Sequence, residues 1–171
     1  AILGHMVENK IPFLMEVADR TEMDKKGGHL AQQPDGQLVL RESAQCPEAD
    51  MTAFQDVKRH RYFNTNNLWI HLPTLRQLMA GRGNKLGLPM IRNSKTVDPR
   101  NAVSTPVYQI ETAMGSAIAV FRDSQAVRVP RSRFAPVKKT DDLLAVRSDS
   151  YTLTPDFFVV PSPERGYDEL L

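Results

Sequence analysis

The sequence predicts an α/β protein with a mixed, mostly parallel sheet and flanking helices. Short apolar runs of strand length alternate with amphipathic stretches of helix length. Glycine, proline and Asx signals separate them at close intervals. The chain has 171 residues, 41 % of them apolar, enough for one domain with a real core.

The elements follow in order. Ile2–Glu8 has helix character, and Asn9, Lys10 and Pro12 mark its end. Phe13, Leu14, Met15 and Val17 form a short apolar run that fits a buried strand. DKKGGHLAQ then reads as a turn whose paired glycines tolerate positive φ. Pro34-Asp35-Gly36 is a turn signal before the strand-like QLVLRESAQ. Residues 47–59 read as a helix with Ala49, Met51, Phe54 and Val57 on an imperfect apolar stripe. YFNTNNLWIHL begins as a polar turn and becomes an apolar strand at Leu68. Residues 73–81 are helical, 82–87 a loop, and LPMIRNSKTVDP a strand entering a turn. In VYQIETAMGSAIAVF, Ile110, Met114, Ala117, Ile118 and Phe121 recur at helical spacing, which predicts an amphipathic helix. Residues 125–129 form a short strand, and Thr140-Asp141-Asp142 announces a helix before Leu143 and Leu144. Proline and glycine become denser after Thr152, so residues 154–171 read as a domain edge or linker.

Charge and composition exclude several classes of function. The formal charge of +2 provides no global field for nucleic acid. No apolar run approaches the roughly 20 residues of a membrane helix. A single cysteine, Cys46, rules out an internal disulfide and points to a reducing, cytoplasmic setting. His5, His29, His60 and His71 lack ligand spacing, and one cysteine cannot build a thiolate zinc site. Cys46 has no histidine near it in sequence and reads as a small packing residue. Spacing alone singles out none of the carboxylates Glu16, Asp19, Glu42, Asp98 and Glu111 for acid–base work. The ends of the chain are apolar where native termini are usually polar, so a piece of a longer protein is expected.

Two segments carry chemistry. FNTNNLWI places three asparagines in four residues ahead of an apolar strand. Amides there could pair with the hydroxyls of a neutral ligand, or close an Asx turn on their own backbone. VPRSRFAPVKKTDDLL crowds Arg131, Arg133, Lys138 and Lys139 beside two prolines. Residue type leaves it open as a solvated basic face, a nucleic-acid patch or a phosphate clamp at a helix start. Asp141 and Asp142 compete with any anion there, unless they turn away or pair with Arg131 or Arg133.

Read together, PFLMEV, KKGG, ESAQCP, YFNTNNLWI, SKTVDP, QIETAMGSAI and VPRSRFAPVKKTDDLLAVRSDSYTL resemble the eukaryotic-type UTP–glucose-1-phosphate uridylyltransferases, or UDP-glucose pyrophosphorylases. The segments run in family order through nearly the whole chain. The resemblance implies a Rossmann-like, GT-A-like nucleotidyltransferase domain and a Mg2+-dependent exchange of carbohydrate metabolism. In it, glucose 1-phosphate attacks the α-phosphate of UTP. It implies Lys138 as the active-site lysine that binds phosphate, Asn66 and Glu42 as sugar-binding residues, and Gly28 as a glycine whose backbone lies against the sugar. Arg131 and Arg133 become structural partners of Asp141 or Asp142, and Lys139 a solvated charge. Ala135 departs from the leucine common in relatives, which trims packing.

The family's glycine-rich nucleotide loop and the aspartate that holds Mg2+ are expected upstream of this segment. A β-helical domain that often mediates assembly, leaving room for an oligomer, is expected downstream. Residues 1–153 then form the second half of a catalytic domain, inactive without the remainder of the parent chain. Two alternatives stand beside this: a related enzyme for another sugar 1-phosphate such as an N-acetylhexosamine, and a non-catalytic binding half. NTNNLW and SRFAPVK favour the glucose branch.

Overall fold

The computed structural model describes residues 1–25, 27–134, 137 and 139–164. Helix α1 (Ile2–Glu8) leads into strand β1 (Phe13–Asp19), and a loop carries the chain to β2 (His29–Gln32) and β3 (Leu38–Arg41). A short helix α2 (Met51–Phe54), strand β4 (Tyr62–Ile70) and helix α3 (Leu72–Ala80) follow. Strands β5 (Met90–Thr96) and β6 (Pro106–Thr112) form a separate ribbon, before β7 (Gln125–Arg128) and helix α4 (Thr140–Arg147). Strands β8 (Tyr151–Leu153) and β9 (Val159–Pro161) make a small hairpin after α4.

The main sheet has the order β3-β2-β4-β1-β7. It is mixed, as expected, but mostly antiparallel. Among the described residues, only β1 and β7 run parallel, while β1–β4, β2–β4 and β2–β3 are antiparallel. For β2–β3 the short connection is the reason, because a tight turn can join only antiparallel neighbours; β4 meets β1 and β2 across long connections. The β2–β3 turn closes with Gly36 N–H donating to Gln33 O at 2.9 Å, and Gly36 takes φ of +87°.

Four other expectations change. His29–Gln32, read as part of a turn, form strand β2, paired with β3 and β4. Residues 106–112 form strand β6, paired in full register with β5. Val107, Tyr108, Ile110 and Thr112 are strand formers, and their propensity prevails over the helical spacing. Only Met114–Ala119 turns helically, as a 3-10 segment with Gly115, Ser116, Ala117 and Ile118 buried. The helix expected over 47–59 shrinks to a 3-10 turn (Glu48–Asp50) and α2. The Asp56 carboxylate accepts from the N–H groups of Lys58 and Arg59 at 2.9 and 3.1 Å, a local alternative to further helix. Finally, β4 begins at Tyr62, so the asparagines lie within the strand.

β1 is buried on both faces, as its continuous apolar run requires. Phe13, Met15 and Val17 pack with Leu40, Ala117, Ile118 and Phe121; Leu14 packs with Met6 and Ile11, against Trp69 and Val127. Each large side chain buried in this way contributes about 1.5–3 kcal/mol.

A polar cluster sits at the β2–β3–β4 junction. His29 is fully buried, stacked on His60 at 4.0 Å between ring centroids and tilted against Phe54 at 4.4 Å. Its two ring nitrogens face Arg20 at 3.2 Å and Arg41 at 3.4 Å. Desolvation, helped by His60 and the two guanidinium groups, pushes the His29 pKa down from 6.5 to about 3. The unfolded chain therefore takes up this proton first as pH falls. The stability His29 allows is whole above pH 6.5 and is lost on descending toward pH 3. Urea unfolding of the wild type at pH 7.5 and 5.0 should differ by about 2 kcal/mol more than it does in His29→Phe. An equal loss in both proteins would show that the proton goes elsewhere.

Candidate functional site

The site is built where β4 departs from regular pairing. Met15 pairs with Leu68, but Val17 pairs with Asn64, so Thr65, Asn66 and Asn67 stand opposite the single residue Glu16. This is a bulge, a device that re-aims side chains at strand ends and sites. Asn66 takes φ of +65°, a conformation asparagine tolerates better than most residues. Its N–H donates to Asn64 Oδ1 at 2.8 Å, and Asn64 Nδ2 donates to Asn66 Oδ1 at 3.2 Å. The Asx turn holds Asn66 out on the exposed side of the bulge.

Gly28 and Glu42 meet directly. A Cβ on Gly28 would stand 2.6 Å from Glu42 Oε2 and 2.7 Å from Oε1, so only glycine lets the carboxylate lie there. The Gly28 carbonyl accepts from Asn64 N–H at 3.2 Å, which joins this pair to the asparagine turn. Burial pushes the Glu42 carboxyl above its ordinary pKa. Gly28, Glu42 and Asn66, expected to share a sugar site, are therefore linked through Asn64. Arg20 holds the loop that delivers Gly28. Its guanidinium donates to the carbonyls of Phe54 at 2.9 Å, Lys25 at 2.6 Å, Asp24 at 3.3 Å and Gly27 at 3.4 Å.

Sequence reasoning missed Gly115. A Cβ there would lie 2.6 Å from Leu40 Cδ2 and 2.8 Å from Asn64 Nδ2, so any other residue in the 3-10 turn would push those two side-chain ends aside. The available signal was a glycine interrupting an otherwise good helical stripe.

Sequence reasoning also left Glu16 unselected. It is 1 % exposed in the middle of β1. Its carboxylate accepts from Trp69 Nε1 at 2.8 Å, and from Arg133 Nε at 2.8 Å and an Arg133 terminal nitrogen at 3.1 Å. Hydrogen bonding from Arg133 outweighs the burial that pushes the other way and holds the carboxyl below its ordinary pKa. A glutamate inside the apolar run PFLMEV was the clue, since such a position is buried and a buried charge needs a partner.

The basic segment is bolted to the sheet. Arg131 pairs with Asp24 at 3.3 Å and lies over the Phe63 ring at 5.2 Å. Phe134 meets Phe63 edge-on at 5.2 Å. The arginines thus pair with Asp24 and Glu16, where Asp141 or Asp142 was expected. Two β1-side carboxylates lie within reach because β7, running parallel beside β1, delivers the segment there. Asp142 accepts from the N–H of Lys139 at 2.8 Å and so caps α4. Lys138 lies outside the described residues. Arg133, earlier in the same segment, lines one open cavity of about 490 Å³ together with Glu16, Asn66, Asn67, Leu68 and Trp69.

Among the described residues, no group of three or more His, Cys, Asp or Glu side chains could hold a metal ion. These side chains therefore do not form a metal cage. The arrangement can instead bind hydroxyls through amide, carboxylate and backbone groups, beside a rigid cationic segment.

The family model described as UTP--glucose-1-phosphate uridylyltransferase matches residues 1–170. The potato (Solanum tuberosum) UTP--glucose-1-phosphate uridylyltransferase is 42 % identical over 165 residues, covering 96 % of this chain and 33 % of its own length. Its counterpart from Saccharomyces cerevisiae is 43 % identical over 152 residues, covering 89 % of this chain and 30 % of its own. Among solved structures, a point mutant of UDP-glucose pyrophosphorylase from Leishmania major, in complex with UDP-glucose, superposes with a TM-score of 0.82. It shows 57 % identity and covers 94 % of this chain and 36 % of that one. UDP-glucose phosphorylase from Trypanosoma brucei gives a TM-score of 0.84 at 52 % identity, over 96 % of this chain and 37 % of that one. The chain spans about a third of the length of these relatives. With the match running almost end to end and the fold shared with the solved structures, this chain belongs to the UTP–glucose-1-phosphate uridylyltransferase family.

Proposed function

We propose that the protein containing this chain transfers the uridylyl group of UTP to glucose 1-phosphate, forming UDP-glucose and pyrophosphate. The observation that carries this reading is the contact of the Glu42 carboxylate on Gly28, joined through Asn64 to the Asn66 turn. A hexose offers several hydroxyls. A carboxylate and an amide at fixed separation accept and donate to them in a pattern that selects among sugars. Asn66 and Glu42 serve the sugar, and Gly28 lets it approach the backbone.

In the reaction, a phosphate oxygen of glucose 1-phosphate forms a bond to the α-phosphorus of UTP. The bond from that phosphorus to the bridging oxygen breaks, and pyrophosphate leaves with the electron pair. Lys138 supplies positive charge to the transferring phosphoryl group, the kind of stabilisation that accounts for much of phosphoryl-transfer catalysis. Mg2+ neutralises phosphate charge when bound; its aspartate ligand belongs to the part of the family's length that this chain does not span. Residues 1–153 serve as the sugar-side half of the catalytic domain, and 154–171 as its edge. The substrates are small molecules, and no nucleic acid or membrane partner is proposed. Among the described residues, no helix is long and apolar enough to cross a membrane. The single cysteine supports a reducing, cytoplasmic setting.

The full-length protein should form UDP-glucose and pyrophosphate from UTP and glucose 1-phosphate, and should prefer that sugar phosphate to N-acetylglucosamine 1-phosphate. Turnover with neither would overturn the reading. Lys138→Ala should reduce kcat about a hundredfold or more, whereas Lys139→Ala should stay within about twofold; equal effects would return the segment to a generic basic face. Gly28→Ala should raise KM for glucose 1-phosphate and lower the melting temperature, at a cost of about 1–3 kcal/mol for the overpacked contact. Adding Glu42→Ala should restore the melting temperature but not the KM, because it removes the clash together with the sugar contact.

A further inference from the structure

We infer that Glu16 is a positioning residue that sets the sugar-side asparagine turn and the basic segment in register with each other. Its two polar ends face the two halves of the candidate site. Through the backbone, the Glu16 carbonyl accepts from Thr65 Oγ1 at 2.8 Å, and Thr65 is the buried first residue of the bulge that projects Asn66. Through the side chain, its carboxylate takes both donors of Arg133 and the indole N–H of Trp69. Arg133 stands five residues before Lys138, and Phe134 between them meets the Phe63 ring edge-on.

Three donors occupy the carboxylate, which is buried away from solvent, so it has little capacity left to take a substrate proton. Arg133 is 43 % exposed on the cavity side and has its fork directed inward. It therefore acts as a hinge pin between the buried charge and the exposed segment. The bidentate geometry fixes orientation as well as distance, which a single ammonium contact would not. The arrangement predicts a division of labour. Disturbing the side-chain end moves the phosphate-side segment; disturbing the carbonyl end moves the asparagine turn. A displacement of about 1 Å at a reacting group can cost about a hundredfold in rate.

This inference rests on the preceding functional reading for which substrate each segment meets, but not for the coupling itself, so two readouts are needed. In the full-length protein, Glu16→Gln and Arg133→Met should speed amide hydrogen exchange over 131–134 and 139–143 while leaving β2 and β3 as protected as in the wild type. The same variants should lower kcat about tenfold or more with KM for glucose 1-phosphate within about threefold. Arg133→Lys should recover part of that kcat, because it restores the charge without the fork. Thr65→Val should do the reverse, raising KM for glucose 1-phosphate several-fold with little change in kcat.

Unchanged exchange over 131–134 and 139–143 in Glu16→Gln would overturn the inference. So would uniformly faster exchange across all strands, or an identical kcat and KM pattern in the Thr65 and Arg133 variants, since either describes general destabilisation. If Glu16→Gln fails to fold, Arg133→Lys and Thr65→Val, which leave the buried carboxylate in place, decide the question through the same split. Absence of UDP-glucose formation by the wild type would defeat the functional reading alone, and the exchange measurements would still decide the coupling.

Discussion

A carboxylate in the centre of a sheet is the constraint from which much of this structure follows. Glu16 is buried in β1, where an unpaired charge would be costly. Its partner, Arg133, comes from a segment more than a hundred residues later in the chain. β7 runs parallel beside β1, and its C-terminal end delivers Arg131 and Arg133 to the carboxylates of the β1 side. On the other edge of β1, β4 must bulge around the same residue, because Trp69 reaches the carboxylate and Thr65 reaches the carbonyl. One residue thus touches the segment leaving the parallel strand, both ends of the bulge and, through Arg133, the course of the basic segment.

The region around the asparagine turn depends on a different constraint, the absence of side chains at two glycines. Gly28 and Gly115 stand where a Cβ would intrude on Glu42 and on Asn64 respectively. The approach is close enough that alanine would displace a functional group at either position. Behind them, Arg20 ties four carbonyls of the loop and α2 together, and the neutral His29 is held between two arginines. This arrangement makes a rigid back wall of polar groups, with Gly28 at its front. Such rigidity is what the hydroxyl recognition proposed for Gly28, Glu42 and Asn66 would require, since donors and acceptors must be held at fixed separation.

Helix α1, strands β1 and β7 and helix α3 were legible in the sequence because their apolar runs or stripes are local and their breakers lie where the elements end. The strand at 106–112 was not, because five apolar residues happened to fall at helical spacing across a boundary between a strand and a 3-10 turn. The pairing of Arg131 and Arg133 was misread in the same way: Asp141 and Asp142 are near in sequence, while Asp24 and Glu16 are near in space. Gly28, Glu42 and Asn66 were identified from motif resemblance, but nothing in their spacing said that they would be joined through Asn64.

What this chain's sequence determined by itself was local: where strands of apolar residues must be buried, where turns break, and which residue types could meet a hydroxyl or a phosphate. Tertiary structure alone decided which of those residues share a site, that the sheet is mostly antiparallel, and that a glutamate passed over in the apolar run organises both halves. The physical reason is that a buried charge constrains the fold through its partner. The sequence shows that Glu16 needs one, but only the pairing of distant strands determines that it is Arg133.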